Sequence, residues 1–483
     1  MNNSEFDPRL PLAYGNEEEI GFNVSYGSGD FEKIDPVQMQ ASIPERFNIT
    51  QTFLDNGYRA YPDQQYQEIC IPECRTVESA ARHIRGSELL ATEIAQNYAV
   101  TSSIDDPEEL VDVRFQRRTI DAEGRRNGVH DNIGCTAVTM LALKQKPLAR
   151  DILNGHHGYR SFVTGAGFIG PDGPEFSQKV GGLKHVENYG YSGSLYRFVN
   201  EASGEGRFES RSNDANISDW ATRIRKGSMA LGIVLAQTYL RDELVGIHTT
   251  EVLDVAKDAN AVHLLPDGSI KPNEALLKAI DFEQQLADIA LTELGDEVEL
   301  PEELVNIAEE LYVYCLDMRR VINNEASISI LSNRADWAAK LTGISMSIEH
   351  EREEGSNRSL QDARSRSHDF AYDCVRVRAH GGRLIHTKVG WGYALRNRGI
   401  FKQPISTEEA AHALETPDDE TRAYLRASLI SQYDIENPNW DSLKYVSKST
   451  GRLEQLSFHG VLQTRLDETQ LAQLSDMPFR PGQ

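Results

Sequence analysis

Glu17-Glu18-Glu19-Ile20-Gly21-Phe22-Asn23-Val24 reads as a β-strand that begins with a cluster of acids and runs into an apolar core. Residues i and i+2 of a strand share a face, so Glu17 and Glu19 project together. Taken alone, three successive glutamates describe a solvated edge strand. The apolar alternation that follows places this strand inside a sheet instead. Two further stretches repeat the pattern: Tyr66-Gln67-Glu68-Ile69-Cys70-Ile71-Pro72-Glu73 and Arg207-Phe208-Glu209-Ser210-Arg211. Carboxylates gathered on one sheet face repel one another and are costly to desolvate. Divalent cations between them relieve that cost, and hard oxygen ligands suit Mg²⁺ or Mn²⁺. The arginines flanking Glu209 point to a phosphate.

The rest of the chain sets limits. Its 483 residues carry a net charge of −24. This argues against nucleic acid as a partner, which needs a basic footprint. No apolar run reaches the length of a membrane span and no signal-like segment opens the chain, so a cytoplasmic protein is expected. Five cysteines fit a reducing compartment. Cys70 and Cys74 read as buried strand thiols rather than a zinc site.

Helical periodicity covers residues 76–97, with Thr76 as N-cap, then 218–241 and most of 273–350, where Pro301 suits a first turn. VDVRF at 111–115 and TAVTMLAL at 136–143 read as strands, and 350–368 as a polar loop. His156-His157 reads as a loop pair. Gly165-Ala166-Gly167-Phe168-Ile169-Gly170 lacks a following helix and so is no dinucleotide loop; it could lie over the site. Gly381-Gly382 marks a hairpin. Strands early, helices in the middle and a small terminal unit give an α+β fold: one face of an antiparallel sheet carries the site and the other carries helices. The division expected is 1–395 and 396–483.

The motifs together resemble the Pup ligase and depupylase family of the glutamine synthetase superfamily. Gly15-Asn16-Glu17-Glu18-Glu19-Ile20-Gly21 is similar to its opening strand, and Phe53 to Asp63 to a second strand ending in the catalytic aspartate. Glu68, Pro72-Glu73-Cys74, Arg207 to Asn216, Asp336-Trp337, Asp369-Phe370-Ala371-Tyr372, Thr421-Arg422-Ala423-Tyr424-Leu425-Arg426 and Asp476-Met477-Pro478-Phe479-Arg480 follow in family order. The family's Gly-Cys/Ser-His-Glu-Asn strand is expected at Gly134-Cys135-Thr136-Ala137-Val138, which lacks the polar residues. Where the family has a histidine, this chain has Glu209.

The resemblance implies a glutamine synthetase-like concave antiparallel cradle binding ATP and Mg²⁺ (or Mn²⁺). It implies metal ligation by Glu17, Glu19, Glu68, Glu73 and Glu209, and phosphate binding by Arg207, Arg211, Arg422 and Arg426. Asp63 would be the catalytic base, with Tyr61 and Asn216 beside the site. The partners implied are a small acidic Pup-like modifier and lysine-bearing target proteins. The activity implied is ligation through a glutamyl phosphate. Alternatives are a depupylase or deamidase of the same family, a small-molecule glutamate–amine ligase, and a non-catalytic paralogue. The short interval from Gly21 to Phe53 and the Pro478-Phe479-Arg480 ending favour the ligase, whereas the Asp63-to-Glu73 spacing and Thr421-Arg422-Ala423-Tyr424 are more similar to the depupylase.

Overall fold

The acidic strand is the centre of the architecture. In the computed structural model, β1 (Ala13–Tyr26) alternates between buried and part-exposed positions along nearly its whole length. Its first half pairs antiparallel with β3 (Tyr66–Cys70) and β5 (Val129–Thr136), and its second half with β4 (Val111–Gln116). Beyond β3 lies β2 (Arg59–Asp63), and beyond β5 come β7 (Glu205–Asn213) and β6 (Leu195–Asn200). The hairpin β8 (Cys374–His380) and β9 (Arg383–Val389) extends the sheet from β4. The sheet has twelve strands among the described residues, which are 7–27, 29–117, 128–145, 147–170, 173–180, 195–200, 204–238, 249–264, 269–294, 298–353, 359–360 and 362–480.

Ile20, Phe22 and Val24 face the helical side and join one large core with α1 (Val77–Asp105), α2 (Pro147–Tyr159), α3 (Asp219–Thr238), α4 (Glu274–Thr292) and α5 (Glu302–Ile322). Thr76 caps α1 by accepting from the Ser79 N–H, and Asn273 caps α4. Thr76 is the cap the sequence offered.

Two strand acids also point to this helical side, and each is answered by basic groups. Arg117 donates to Glu18 and to Glu88 of α1, and Arg396 donates to Glu88. Asp131 of β5 is paired with Arg225 at 2.9 Å and Lys226 at 2.7 Å, both on α3. These side chains are almost completely buried.

Several sequence expectations are corrected. Residues 136–143 are not a strand: β5 ends at Thr136 and a helix runs from Ala137 to Gln145. The Thr136 hydroxyl accepts from the Thr139 N–H and caps a Met-, Ala- and Leu-rich run of good helix formers. His156 and His157 lie buried in α2, His156 against Glu283 at 2.9 Å and His157 against Ser210 at 3.0 Å. Gly167 does not lie over the site: it sits at φ +73°, where an added Cβ would strike Trp337. Within the expected polar loop, Ala363–Phe370 is helical; residues 354–358 and 361 lie outside the described ones.

A second core gathers Phe53, Leu429, Ile430, Leu443, Tyr445, Leu456 and Met477 around α7 (Arg422–Gln432) and a three-stranded sheet. It takes in Phe53 as well as residues of the 396–483 segment. Helix α6 (Thr407–Glu415) packs instead on the main body, where Ala410 meets Ala81. No helix among the described residues is long and apolar enough to cross a membrane.

The buried pairs carry a prediction. Glu88→Ala leaves Arg117 and Arg396 without their shared carboxylate, so it should cost ~3–5 kcal/mol in urea unfolding. Glu93→Ala, which removes an exposed partner of Arg46, should cost no more than about 1 kcal/mol.

Candidate functional site

The register brings the acids together. Glu17 lies opposite His130 and Cys70, Glu19 opposite Glu68, Glu68 opposite Tyr61, and Asn132 opposite Glu209. Opposed residues of an antiparallel pair share a face. One face of five adjacent strands therefore presents Tyr61 and Asp63, Glu68, Glu17 and Glu19, His130 and Asn132, and Arg207, Glu209 and Arg211. Three sets of side chains have ligand atoms within 4.8 Å of one another: Glu17, His130 and Glu209; Glu17, Glu68 and Cys70; Glu19, Asp63 and Glu68.

Hydrogen bonds fix the carboxylates. Glu17 accepts from Asn132 at 3.1 Å and pairs with His130 Nδ1 at 3.1 Å. Glu209 accepts from Arg207 at 2.8 Å and from Arg211. The Tyr61 hydroxyl donates to Glu68, and the Gly128 N–H donates to Glu19. Gly128 has no room for a side chain: an added Cβ would fall 2.4 Å from the His130 ring nitrogen.

The electrostatics follow from this crowding. Burial pushes the Glu68 carboxyl up to about 7, and the neighbouring Glu17 charge adds to the rise. Burial alone would raise Glu17 as well. The hydrogen bond and charge of His130, with Arg207 and Asn132, outweigh it and hold Glu17 below the usual carboxylate range. His130 is correspondingly raised: desolvation opposes its charge, but Glu17 and Glu209 prevail. Asn132 Oδ1 is buried without a partner among the described residues. Oxygen donors from four carboxylates, with a polar oxygen left over, fit hard divalent cations.

A cavity of about 340 Å³ adjoins this face. Glu17, Cys70, Asn132 and Arg207 form its sheet side, and Arg422, Asn439, Trp440 and Asp441 close it from the smaller core.

Three of the residues named from sequence are not brought to the cluster. Glu73 does not join the metal-type groups: its carboxylate accepts from Arg426 at 2.6 Å and from Arg422 at 3.0 Å. Burial opposes its charge, but the two guanidiniums hold it down at about 2. Arg426 is wholly buried in that clamp, whereas Arg422 reaches the cavity. Asn216 lies behind the sheet, donating to Thr164 O at 2.9 Å and to Asp336 at 3.1 Å. Two site residues were missed, His130 and Asn132. Gly128-Val129-His130-Asp131-Asn132 has the Gly-x-His-x-Asn spacing of the strand expected at Gly134-Cys135. Asp replaces Glu there, and Asp131 is the residue that pairs with α3.

The model of the Pup-ligase protein family matches residues 3–188 and 200–444. The chain belongs to that family. A Pup deamidase/depupylase of Mycolicibacterium smegmatis is 25% identical over 445 residues, covering 88% of this chain and 79% of the relative. A Pup–protein ligase of Jonesia denitrificans is 23% identical over 443 residues, covering 86% and 88%. Among solved structures, the Pup ligase PafA in complex with Pup superposes with a TM-score of 0.73 at 18% identity, covering 97% of this chain and 93% of that one. PafA in complex with ADP gives 0.65 at 18% identity, covering 89% and 90%. The Pup-ligase fold thus extends over nearly the whole chain, and membership makes it an enzyme-family protein of Pup ligation or removal.

Because protonated Glu68 cannot serve as a ligand, divalent-cation affinity should rise as pH increases through about 7. Calorimetry in buffers of different ionisation enthalpy should show proton release below that pH and little above it. Flat affinity across the range would remove Glu68 from the site.

Proposed function

We propose that the chain is an ATP- and Mg²⁺-dependent carboxylate–amine ligase. It would join the side-chain carboxylate of a glutamate-ended, acidic Pup-like modifier to a lysine of a target protein, through a glutamyl phosphate. The observation that supports this most is the convergence of Glu17, Glu19, Glu68 and Glu209 with Asp63, Arg207 and Arg211 on one sheet face beside a cavity. Divalent cations held there would neutralise charge on a transferring phosphoryl group. Arg207 and Arg211 stand beside the same face and would stabilise the charge that develops during transfer. Trp440 and Asn439 offer a flat and a polar wall for a base.

An attacking lysine is cationic in water and must give up a proton before it can act as a nucleophile. Asp63, at the end of β2 and within reach of Glu19 and Glu68, is the proposed base. Electrostatics support an acidic partner. Arg114, Arg376, Arg378, His386 and Lys388 lie in register across β4, β8 and β9, on the face that continues from Glu17 and Glu19 through Asn23. Asp112 offsets part of this charge by pairing with Arg376 and Arg378. On a chain of net charge −24, such a stripe is the local feature that draws a negative partner to the site.

Hydrolysis of the same bond, with nucleotide retained as cofactor, is a second reading. The 25% identity to a Pup deamidase/depupylase favours it. Incubating the chain with Mg-ATP, a glutamate-ended Pup-like protein and a lysine-bearing target separates the two. Intact mass reports conjugate and a nucleotide assay reports ADP. Conjugate with stoichiometric ADP supports ligation, whereas cleavage of a preformed conjugate without ADP supports hydrolysis.

Asp63→Asn should reduce conjugate by at least about a hundredfold, as expected for loss of a general base, and leave ATP affinity intact. Equal loss of ATP affinity would make Asp63 a metal or structural residue. Glu19→Ala should weaken Mg²⁺-dependent ATP binding in a fluorescent-nucleotide titration; unchanged binding would remove its metal role.

A further inference from the structure

Cys70 occupies an unusual position for a thiol. Strand alternation sends it to the same face as Glu68, and pairing sets it opposite Glu17. Its Sγ lies 3.6 Å from Glu68 Oε1. The sulfur and one oxygen from each of Glu17 and Glu68 fall within 4.8 Å of one another. The residue is 1% exposed and is among those that line the cavity. A second observation lies in the same cavity. Asn132, nine-tenths buried and also lining the cavity, donates its Nδ2 to Glu17, while its Oδ1 has no partner among the described residues.

We propose that Cys70, Glu17 and Glu68 form a seat for a thiophilic divalent cation such as Zn²⁺ or Cd²⁺. Occupancy of this seat competes with the Mg²⁺ that nucleotide binding requires. The inference rests on the metal-dependent reading above for its consequence, but not for the seat itself.

The chemistry is ligand exchange with no redox step. The thiol's S–H bond breaks, its proton passes to solvent, and a sulfur–metal bond forms while the two carboxylates supply oxygen ligands. A thiolate favours a soft or borderline ion over a hard one, so this trio and the all-oxygen pair of Glu19 and Glu68 differ in preference although they share Glu68. Because Glu17 and Glu68 cannot serve both ions fully, a thiophilic ion inhibits at concentrations far below those of Mg²⁺.

The test is a Cd²⁺ titration of the full chain, followed by the ultraviolet thiolate-to-cadmium charge-transfer band. One equivalent of Cd²⁺ should develop the band in the unsubstituted protein. Cys374→Ser, which removes the one part-exposed cysteine, should keep it. Cys70→Ser should lose it and bind Cd²⁺ at least about tenfold more weakly; a near-ultraviolet circular dichroism spectrum like that of the unsubstituted protein verifies folding. Glu19→Ala should keep the band while losing Mg²⁺-dependent ATP binding, which separates this seat from the nucleotide reading. Cd²⁺ should also raise the Mg²⁺ concentration needed for ATP binding. A band that survives Cys70→Ser, or no band in the unsubstituted protein, overturns the seat. Cd²⁺ and Mg-ATP binding together without mutual effect overturns the competition.

Discussion

Carboxylates from several strands are forced onto one face of a sheet, and their mutual repulsion is the constraint around which the rest is arranged. Apart from any ion, it is met by protein groups alone. His130 stands between Glu17 and Glu209, Arg207 and Arg211 hold Glu209, and Tyr61 and the Gly128 N–H bind Glu68 and Glu19. Glu68 is left raised towards neutrality, which marks where the compensation is incomplete.

Holding such a face open needs a rigid back. β1 and β5 supply it by alternation: the acids between the site residues, Glu18 and Asp131, point the other way and are locked by Arg117, Arg225 and Lys226. The same two strands thus carry a charged site in front and buried ion pairs behind. Buried pairs of this kind add little net stability, but they fix register. A slip of one residue in β5 would put His130 or Asn132 in place of Asp131 and leave Arg225 and Lys226 without their buried carboxylate.

This explains what the sequence could and could not reveal. Glu17 and Glu19 are readable as one face because period-2 alternation is strict within a paired strand, whereas their convergence with Glu68 and Glu209 is what the family resemblance implies. Glu73 lies beyond the end of β3 and past Pro72, where alternation no longer sets direction, so its turn towards Arg422 and Arg426 was not predictable from spacing. Asn216 follows β7 and the register shift between Ser210 and Asn213, and it faces the helices for the same reason. His130 and Asn132 are hard to pick out because Gly134-Cys135 offers the same opening as Gly128-Val129, and the β-branched residues after Cys135 imitate a strand where Thr136 caps a helix. The long helices were legible because their caps and periodicity are local. The docking of α6 on the main body was not, since it depends on contacts between residues as far apart as Ala81 and Ala410.

The central claim is that divalent ions are held on this face next to a nucleotide. Anomalous diffraction from crystals grown with Mn²⁺ and a non-hydrolysable ATP analogue tests it most directly. The account predicts manganese peaks in direct contact with Glu17, Glu19, Glu68 and Glu209, with the analogue's phosphates bridging them and its base in the cavity beside Trp440. Nucleotide bound elsewhere, or manganese absent from these four carboxylates, would contradict it.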